Sequence, residues 1–180
     1  MSLIKNNEQY DKIQKIHDLL SYFIKEKQRS KSSDKRIQFI SIEPNENEEK
    51  IIITKEMTDI LNENNSINSN EFITQLKTFS NVYIQIQYPS QTFSNVYENV
   101  KKLKSTTQNK LKILIFITGI TKTDQKFRGD KNIDAVYLDS SVTEILSDGS
   151  SGSFRDCSSL SEITIPSSVT KIGQYAFYYS

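Results

Sequence analysis

Apolar side chains at Tyr10, Ile13, Ile16, Leu19, Leu20, Phe23 and Ile24 recur at the three-and-four spacing of one helix face, which predicts an amphipathic helix over 8–29. Charge then takes over. The segment Lys25-Glu-Lys-Gln-Arg-Ser-Lys-Ser-Ser-Asp-Lys-Arg36 has no apolar period and is expected to be a solvated linker, although its basic charge could touch an anionic partner. Two β-rich runs follow, 37–42 and 51–54, with Pro44 and several charged residues between them, so they are expected as a hairpin or as neighbouring strands. Helices are predicted over 55–63 and 70–79, a strand over 81–88, a helix over 92–104 with Phe93, Val96, Val100 and Leu103 on one face, and a strand over 111–117. The strand–helix–strand order from 81 to 117 predicts a right-handed crossover and hence a small α/β region. The pentapeptide Phe-Ser-Asn-Val-Tyr occurs at 79–83 and again at 93–97, a separation too short for a common repeat unit.

A different pattern governs the C-terminal third. Three decamers superimpose without gaps, Leu111-Lys-Ile-Leu-Ile-Phe-Ile-Thr-Gly-Ile120, Val136-Tyr-Leu-Asp-Ser-Ser-Val-Thr-Glu-Ile145 and Ile163-Thr-Ile-Pro-Ser-Ser-Val-Thr-Lys-Ile172. This alignment equates Leu111 with Val136 and Ile163, Ile113 with Leu138 and Ile165, and Thr118 with Thr143 and Thr170. The first two sets are two residues apart, as in a short strand with one buried face. A phenylalanine follows each decamer, at Phe127, Phe154 and Phe177, and is expected to plug the interior. The segment Leu146-Ser-Asp-Gly-Ser-Ser-Gly-Ser153 is extra length before Phe154 and is expected to loop out on one side.

The run Phe154-Arg-Asp-Cys-Ser-Ser-Leu-Ser-Glu-Ile-Thr-Ile-Pro-Ser-Ser-Val-Thr-Lys-Ile-Gly-Gln-Tyr-Ala-Phe177 resembles the BspA-type leucine-rich repeat. That repeat carries Ala-Phe, a nearby Cys, then Leu-x-x-Ile-x-Ile-Pro-x-x-Val-x-x-Ile-Gly. The resemblance is closest over 153–180 and fades through 127–152 and 105–126, where Ala-Phe becomes Gly-Ser-Phe and Gln-Lys-Phe and the Cys position becomes Asp130. It implies a short leucine-rich-repeat β-solenoid of about three coils, the last incomplete, over 105–180, which together with the N-terminal helical and α/β region read from periodicity over 1–104 makes an α/β protein. The family occurs in bacterial surface proteins and is expanded in parasitic protists, and the resemblance implies adhesion or protein binding without chemistry. It also implies that Cys157 is a small buried side chain.

Composition narrows the alternatives. Net charge is +1, with fifteen basic and fourteen acidic residues before residue 106 and eight of each from there on, so neither part has the excess charge of a nucleic-acid or membrane binder. One cysteine cannot form an internal disulfide. The N-terminal residues show no signal peptide, and the longest apolar run, Ile113-Leu-Ile-Phe-Ile117, is far too short to span a membrane, so a cytoplasmic or membrane-peripheral location is expected. The single histidine, His17, has no partner at metal or triad spacing, and five glycines build no phosphate loop. No cofactor and no catalytic residue is therefore expected. Arg128-Gly129-Asp130 spells an integrin-recognised tripeptide but sits where Arg155-Asp156 follows the next phenylalanine, as part of a turn.

The expected function is a non-enzymatic binding module for a protein partner. Side chains between the inward strand positions should form one outward row, Lys112, Tyr137 and Thr164, with a second row of Gly119, Glu144 and Lys171. The alternatives are an incomplete repeat protein without independent function, and an N-terminal α/β domain with its own ligand. Tyr175, Phe177, Tyr178 and Tyr179 further suggest self-association through the C-terminal coil.

Overall fold

The computed structural model describes residues 40–43, 50–63, 66–77, 79, 81–108 and 110–180. The expected helix over 8–29, the linker after it and His17 lie outside these residues. The chain divides into two compact units, Met1–Ile84 with Lys102–Leu111 and Gln85–Lys101 with Lys112–Ser180.

In the first unit, β1 (Ile40–Glu43) and β2 (Lys50–Ile53) pair antiparallel, with Ile40 opposite Ile53 and Glu43 opposite Lys50. The neighbouring-strand expectation holds. On its other edge β2 pairs parallel with the start of β3 (Val82–Tyr88), Ile51 facing Val82 and Ile53 facing Ile84. A parallel pair needs a crossover, and α1 (Lys55–Glu63), a 3-10 turn (Ser66–Asn68) and α2 (Asn70–Leu76) supply it. Met57 and Leu61, one helical turn apart, are fully buried, as are Ile53, Ile67 and Ile84. Ser69 caps α2, its hydroxyl accepting from the Phe72 amide at 3.2 Å, and the helix stops at Leu76 rather than 79.

The second unit begins with the end of β3 and the first part of α3 (Phe93–Thr106), continues in β4 (Leu111–Ile117) from Lys112 onward, and adds β5 (Ile133–Leu138), β6 (Glu144–Ile145), β7 (Ser147–Asp148), β8 (Ser151–Gly152), β9 (Glu162–Thr164) and β10 (Lys171–Ile172). Its main sheet runs in the order β3-β4-β5-β9. The Thr118 amide donates to the Tyr88 carbonyl at 3.0 Å, so the C-terminal ends of β3 and β4 lie side by side, as in a parallel crossover. Phe93, Val96 and Val100 of α3 are buried together, the face their spacing predicts. Residues 146–153, expected to loop out, form the antiparallel hairpin β7–β8.

Register is where the decamer alignment needs correction. Val136 faces Ile163 and Tyr137 faces Thr164, as aligned, but β4 meets β5 with Ile115 facing Val136, Phe116 facing Tyr137 and Ile117 facing Leu138. The superposition of Leu111 on Val136 is therefore four residues out. β4 is apolar almost throughout, with Leu111, Ile113, Leu114, Ile115 and Ile117 all buried, so an even shift leaves its inward pattern intact. What fixes the stacking is the turn beyond the strand. Thr143 donates its amide to the Thr121 carbonyl at 2.8 Å, and Thr170 donates to Thr143 at 2.9 Å, which makes Thr121 rather than Thr118 the first member of the threonine column.

Two glycines set how closely successive coils approach. A Cβ built on Gly152 would lie 1.9 Å from the Tyr175 carbonyl oxygen, and one on Gly173 would lie 2.1 Å from Ser147 Cβ. Backbone atoms cannot step aside as a flexible side chain can. Gly152→Ala should therefore lower stability by about 1–3 kcal/mol, the usual cost of overpacking. Urea denaturation reads this directly, and a midpoint equal to wild type would show that the coil bearing Tyr175 does not rest on Gly152.

Candidate partner-binding surface

The interior of the second unit is organised by aromatic rings. Phe127 and Phe154 stack nearly parallel with centroids 6.3 Å apart, and Phe154 stacks on Phe177 at 5.6 Å. Phe127 and Phe154 are fully buried and Phe177 is half-buried, so the expected plugs do point inward. Phe93 and Tyr88 meet Phe127 edge-on at 5.7 and 4.9 Å, extending the ring column to α3 and β3.

Two residues past each phenylalanine the backbone turns left-handed, with φ of 74° at Gly129, 62° at Asp156 and 59° at Tyr179. This turn lets the Gly129 amide reach the Arg155 carbonyl and the Asp156 amide reach the Tyr178 carbonyl, both at 2.8 Å. The Arg-Gly-Asp tripeptide is thus part of the repeat. Its glycine supplies the left-handed residue at no steric cost, Arg128 donates to the Ser151 hydroxyl at 2.8 Å, and Asp130 accepts from the Tyr97 hydroxyl at 2.5 Å. Burial, together with that carboxylate, holds the Tyr97 phenol protonated well beyond its ordinary range. Tyr88 donates in the same way to Asp124.

Cys157 is fully buried and donates its thiol to the Phe127 carbonyl at 2.9 Å. Burial pushes the thiol pKa from 9.0 up to about 11. A nucleophilic cysteine needs a depressed pKa and access, and this one has neither. Thr123 and Ser153 are also both buried, their hydroxyls 2.6 Å apart. Thr123 also accepts the Leu146 amide at 2.9 Å, so the pair satisfies backbone as well as itself.

Of the six surface residues chosen from periodicity, four fall into two real rows. Tyr137 and Thr164 are adjacent on β5 and β9, and Glu144 and Lys171 are adjacent on β6 and β10. Lys112 and Gly119 do not join them. The register puts Phe116 beside Tyr137, four positions beyond Lys112, and an isolated bridge puts Lys122 beside Glu144, three positions beyond Gly119. Gly119 instead occupies an exposed turn with φ of 73°, its amide donating to Ser141 Oγ at 2.9 Å. The overlooked signal was the dipeptide Thr121-Lys122, which repeats as Thr170-Lys171 and aligns the coils correctly.

The corrected rows have distinct chemistry. Phe116 and Tyr137 stack face to face, with centroids 5.1 Å apart and planes within 6°, and Tyr137 remains 40% exposed. In the second row Glu144 lies between two lysines, 2.9 Å from Lys171 Nζ and 3.2 Å from Lys122 Nζ. Hydrogen bonds from Lys171 and then Lys122 hold the Glu144 carboxyl below its ordinary range. Among the described residues no cluster of His, Cys, Asp and Glu could hold a metal, and no helix is long and apolar enough to cross a membrane.

The Cys157 environment predicts a pH dependence. Below about pH 9 the thiol is protonated whether the chain is folded or unfolded, and it favours neither state. Between about 9 and 11 the unfolded chain loses this proton while the folded chain keeps it, so stability falls as pH rises through that window. Tyr88 and Tyr97, whose folded pKa values are also raised, steepen the fall from about pH 10 upward. Urea midpoints measured from pH 8 to 11 should decline more steeply for wild type than for Cys157→Ala, and parallel slopes would contradict the buried, neutral thiol.

The family model for the BspA type leucine rich repeat region matches residues 56–180 in six copies, reaching back through α1, α2 and β3 as well as the aromatic-plugged coils. Neither a curated protein nor a solved structure gives a match to the chain. Family-wide, leucine-rich repeats generally mediate protein–protein interaction and are typically non-enzymatic. With its stacked phenylalanines, threonine column and buried cysteine within a match covering most of its length, the chain belongs to the BspA type leucine-rich-repeat family.

Proposed function

We propose that the chain is a non-enzymatic binding module that takes a protein partner on the two outward rows, Phe116–Tyr137–Thr164 and Lys122–Glu144–Lys171. The observation that carries this reading is the Phe116–Tyr137 pair. Two stacked rings on a sheet face, one of them 40% exposed, offer a preorganised apolar platform that loses little side-chain freedom when covered. Aromatic residues of this kind dominate the energetics of protein interfaces. The lysine–glutamate row beside it offers charge of both signs, which selects a partner's orientation rather than attracting any polyanion. The proposed surface also takes in Lys112 and Gly119, which lie outside the two rows, four positions before Phe116 and three before Lys122 along the chain. Adhesion is the narrower form of this function, with the partner displayed on another cell.

Affinity capture from cells of the source organism, followed by titration with the purified partner, tests the surface. Phe116→Ala with Tyr137→Ala should weaken binding about tenfold or more at unchanged thermal stability, since a central aromatic pair is typically worth more than about 1.4 kcal/mol. Equal binding by wild type and the double variant would move the function elsewhere. Beads coated with the two forms and offered to intact cells separate adhesion from binding to an internal partner.

A second reading, self-association, has its own support in the exposure of Ile165, Ile172, Tyr178 and Tyr179 on the coil that carries β9 and β10. Sedimentation velocity should show concentration-dependent association that Ile172→Lys abolishes. A monomer at every concentration would remove this reading and leave the first intact.

A further inference from the structure

The hairpin β7–β8 is an insertion that the repeat itself does not require, and two arginines reach its adjacent serines, Ser150 and Ser151. Arg128 and Arg155 occupy equivalent places in successive coils, each one residue past its stacked phenylalanine. Both guanidinium groups reach into this hairpin. Arg128 Nη1 donates to Ser151 Oγ at 2.8 Å, and Arg155 Nη1 donates to the carbonyl of Ser150, the neighbouring residue. Arg155 is held from behind by the Tyr178 ring, 5.1 Å from its guanidinium carbon. Its Nε lies 3.3 Å from Asp156 Oδ2 but makes no hydrogen bond.

The charges that reach Ser150 and Ser151 are the two guanidinium groups, with Asp156 beside Arg155 and Asp148 across the hairpin as the neighbouring carboxylates. Arg128 is exposed and has a neutral hydroxyl, not a carboxylate, as its side-chain partner. A serine hydroxyl satisfies one of the five donors of a guanidinium group and none of its charge. A phosphoryl group on the same oxygen would bring a charge of about −1.5 to −2 and three strong acceptors to a place where two guanidinium groups already point. The hairpin is short, with only Ser147 opposite Gly152 and Asp148 opposite Ser151, and residues 148–150 at its tip are exposed.

We propose that Ser151 is a modification site and that Arg128 and Arg155 are the receptor for its phosphoryl group. In the modifying step a protein kinase transfers the terminal phosphoryl group of a nucleoside triphosphate. The bond from Ser151 Oγ to phosphorus forms, the bond to the bridging oxygen breaks, the nucleoside diphosphate leaves, and the hydroxyl proton passes to the kinase's base. The product pins the hairpin to two successive coils, because its two arginines belong to different coils. Asp148, directly across the hairpin from Ser151, and Asp156, beside Arg155, oppose the added charge, so the two guanidinium groups must outweigh two carboxylates.

The test uses the full chain carrying phosphoserine at position 151, introduced during translation, and follows its phosphorus resonance through a pH titration. The second ionisation of a free phosphoserine lies near pH 6. With both arginines present it should fall about one unit below its value in the same phosphoprotein carrying Arg128→Gln, because nearby opposite charge favours the dianion by that order. Comparing the two proteins cancels the effect of Asp148 and Asp156. Hydrogen exchange of the 150–152 amides should also slow on phosphorylation in the wild-type chain and not in Arg128→Gln, a side chain exposed enough for its loss to leave the fold intact. An identical ionisation in both proteins, or unchanged exchange on phosphorylation, would overturn the proposal. Neither readout depends on the partner-binding surface.

Discussion

Each coil of the second unit can hide its apolar face only against the next, and the stacking of Phe127, Phe154 and Phe177 is the contact on which that arrangement turns. The rings lie nearly parallel, so each phenylalanine both fills its own coil and provides the floor for the following one. Once their spacing is set, the backbone bonds between coils fall into line. The Phe154 amide reaches the Ala176 carbonyl at 2.9 Å, and the Gly173 amide reaches the Ile145 carbonyl at 2.8 Å. Removing side chains at Gly152 and Gly173 permits this distance, and a left-handed residue after each phenylalanine returns the chain to the next turn.

The buried polar groups follow from the same stacking. Bringing coils this close removes water from Thr123, Ser153 and Cys157, and each must find its hydrogen bond within the stack. Cys157 serves the Phe127 carbonyl of the preceding coil, which explains a sulfhydryl that is structural and protonated rather than reactive. Asp130, at the position that Cys157 holds one coil later, accepts from Tyr97 instead. Different side chains at one repeat position thus solve the same problem of satisfying a closed interior.

The outward surface inherits its order from the interior. Phe116 lies beside Tyr137 and Lys122 beside Glu144 because inward neighbours such as Ile115 and Val136 are locked in register. A partner would therefore meet rows of side chains at a fixed strand spacing, with aromatic platform and alternating charge held by the core. The hairpin before Phe154 is the exception, an added element tied to the stack through Arg128 and Arg155.

The sequence was enough to identify the strands and helices from 51 to 117, because the helices bury one face, recorded in the spacing of Met57 with Leu61 and of Phe93 with Val96 and Val100, and the strands are short apolar runs between polar breaks. It was also enough to show the repeat and the three inward phenylalanines, while the buried place of Cys157 followed from the resemblance to the BspA-type repeat. Register on β4 was not legible. An almost wholly apolar strand fits its neighbour at several even offsets, and the sequence alone gave Leu111 and Lys112 the places that belong to Ile115 and Phe116. The turn hydrogen bonds that Thr143 donates to Thr121 and Thr170 donates to Thr143 break that degeneracy. Sequence determined which residues stack, since burial depends on side-chain type and spacing. Tertiary structure decided which neighbours they meet, since that depends on closing specific backbone bonds between coils.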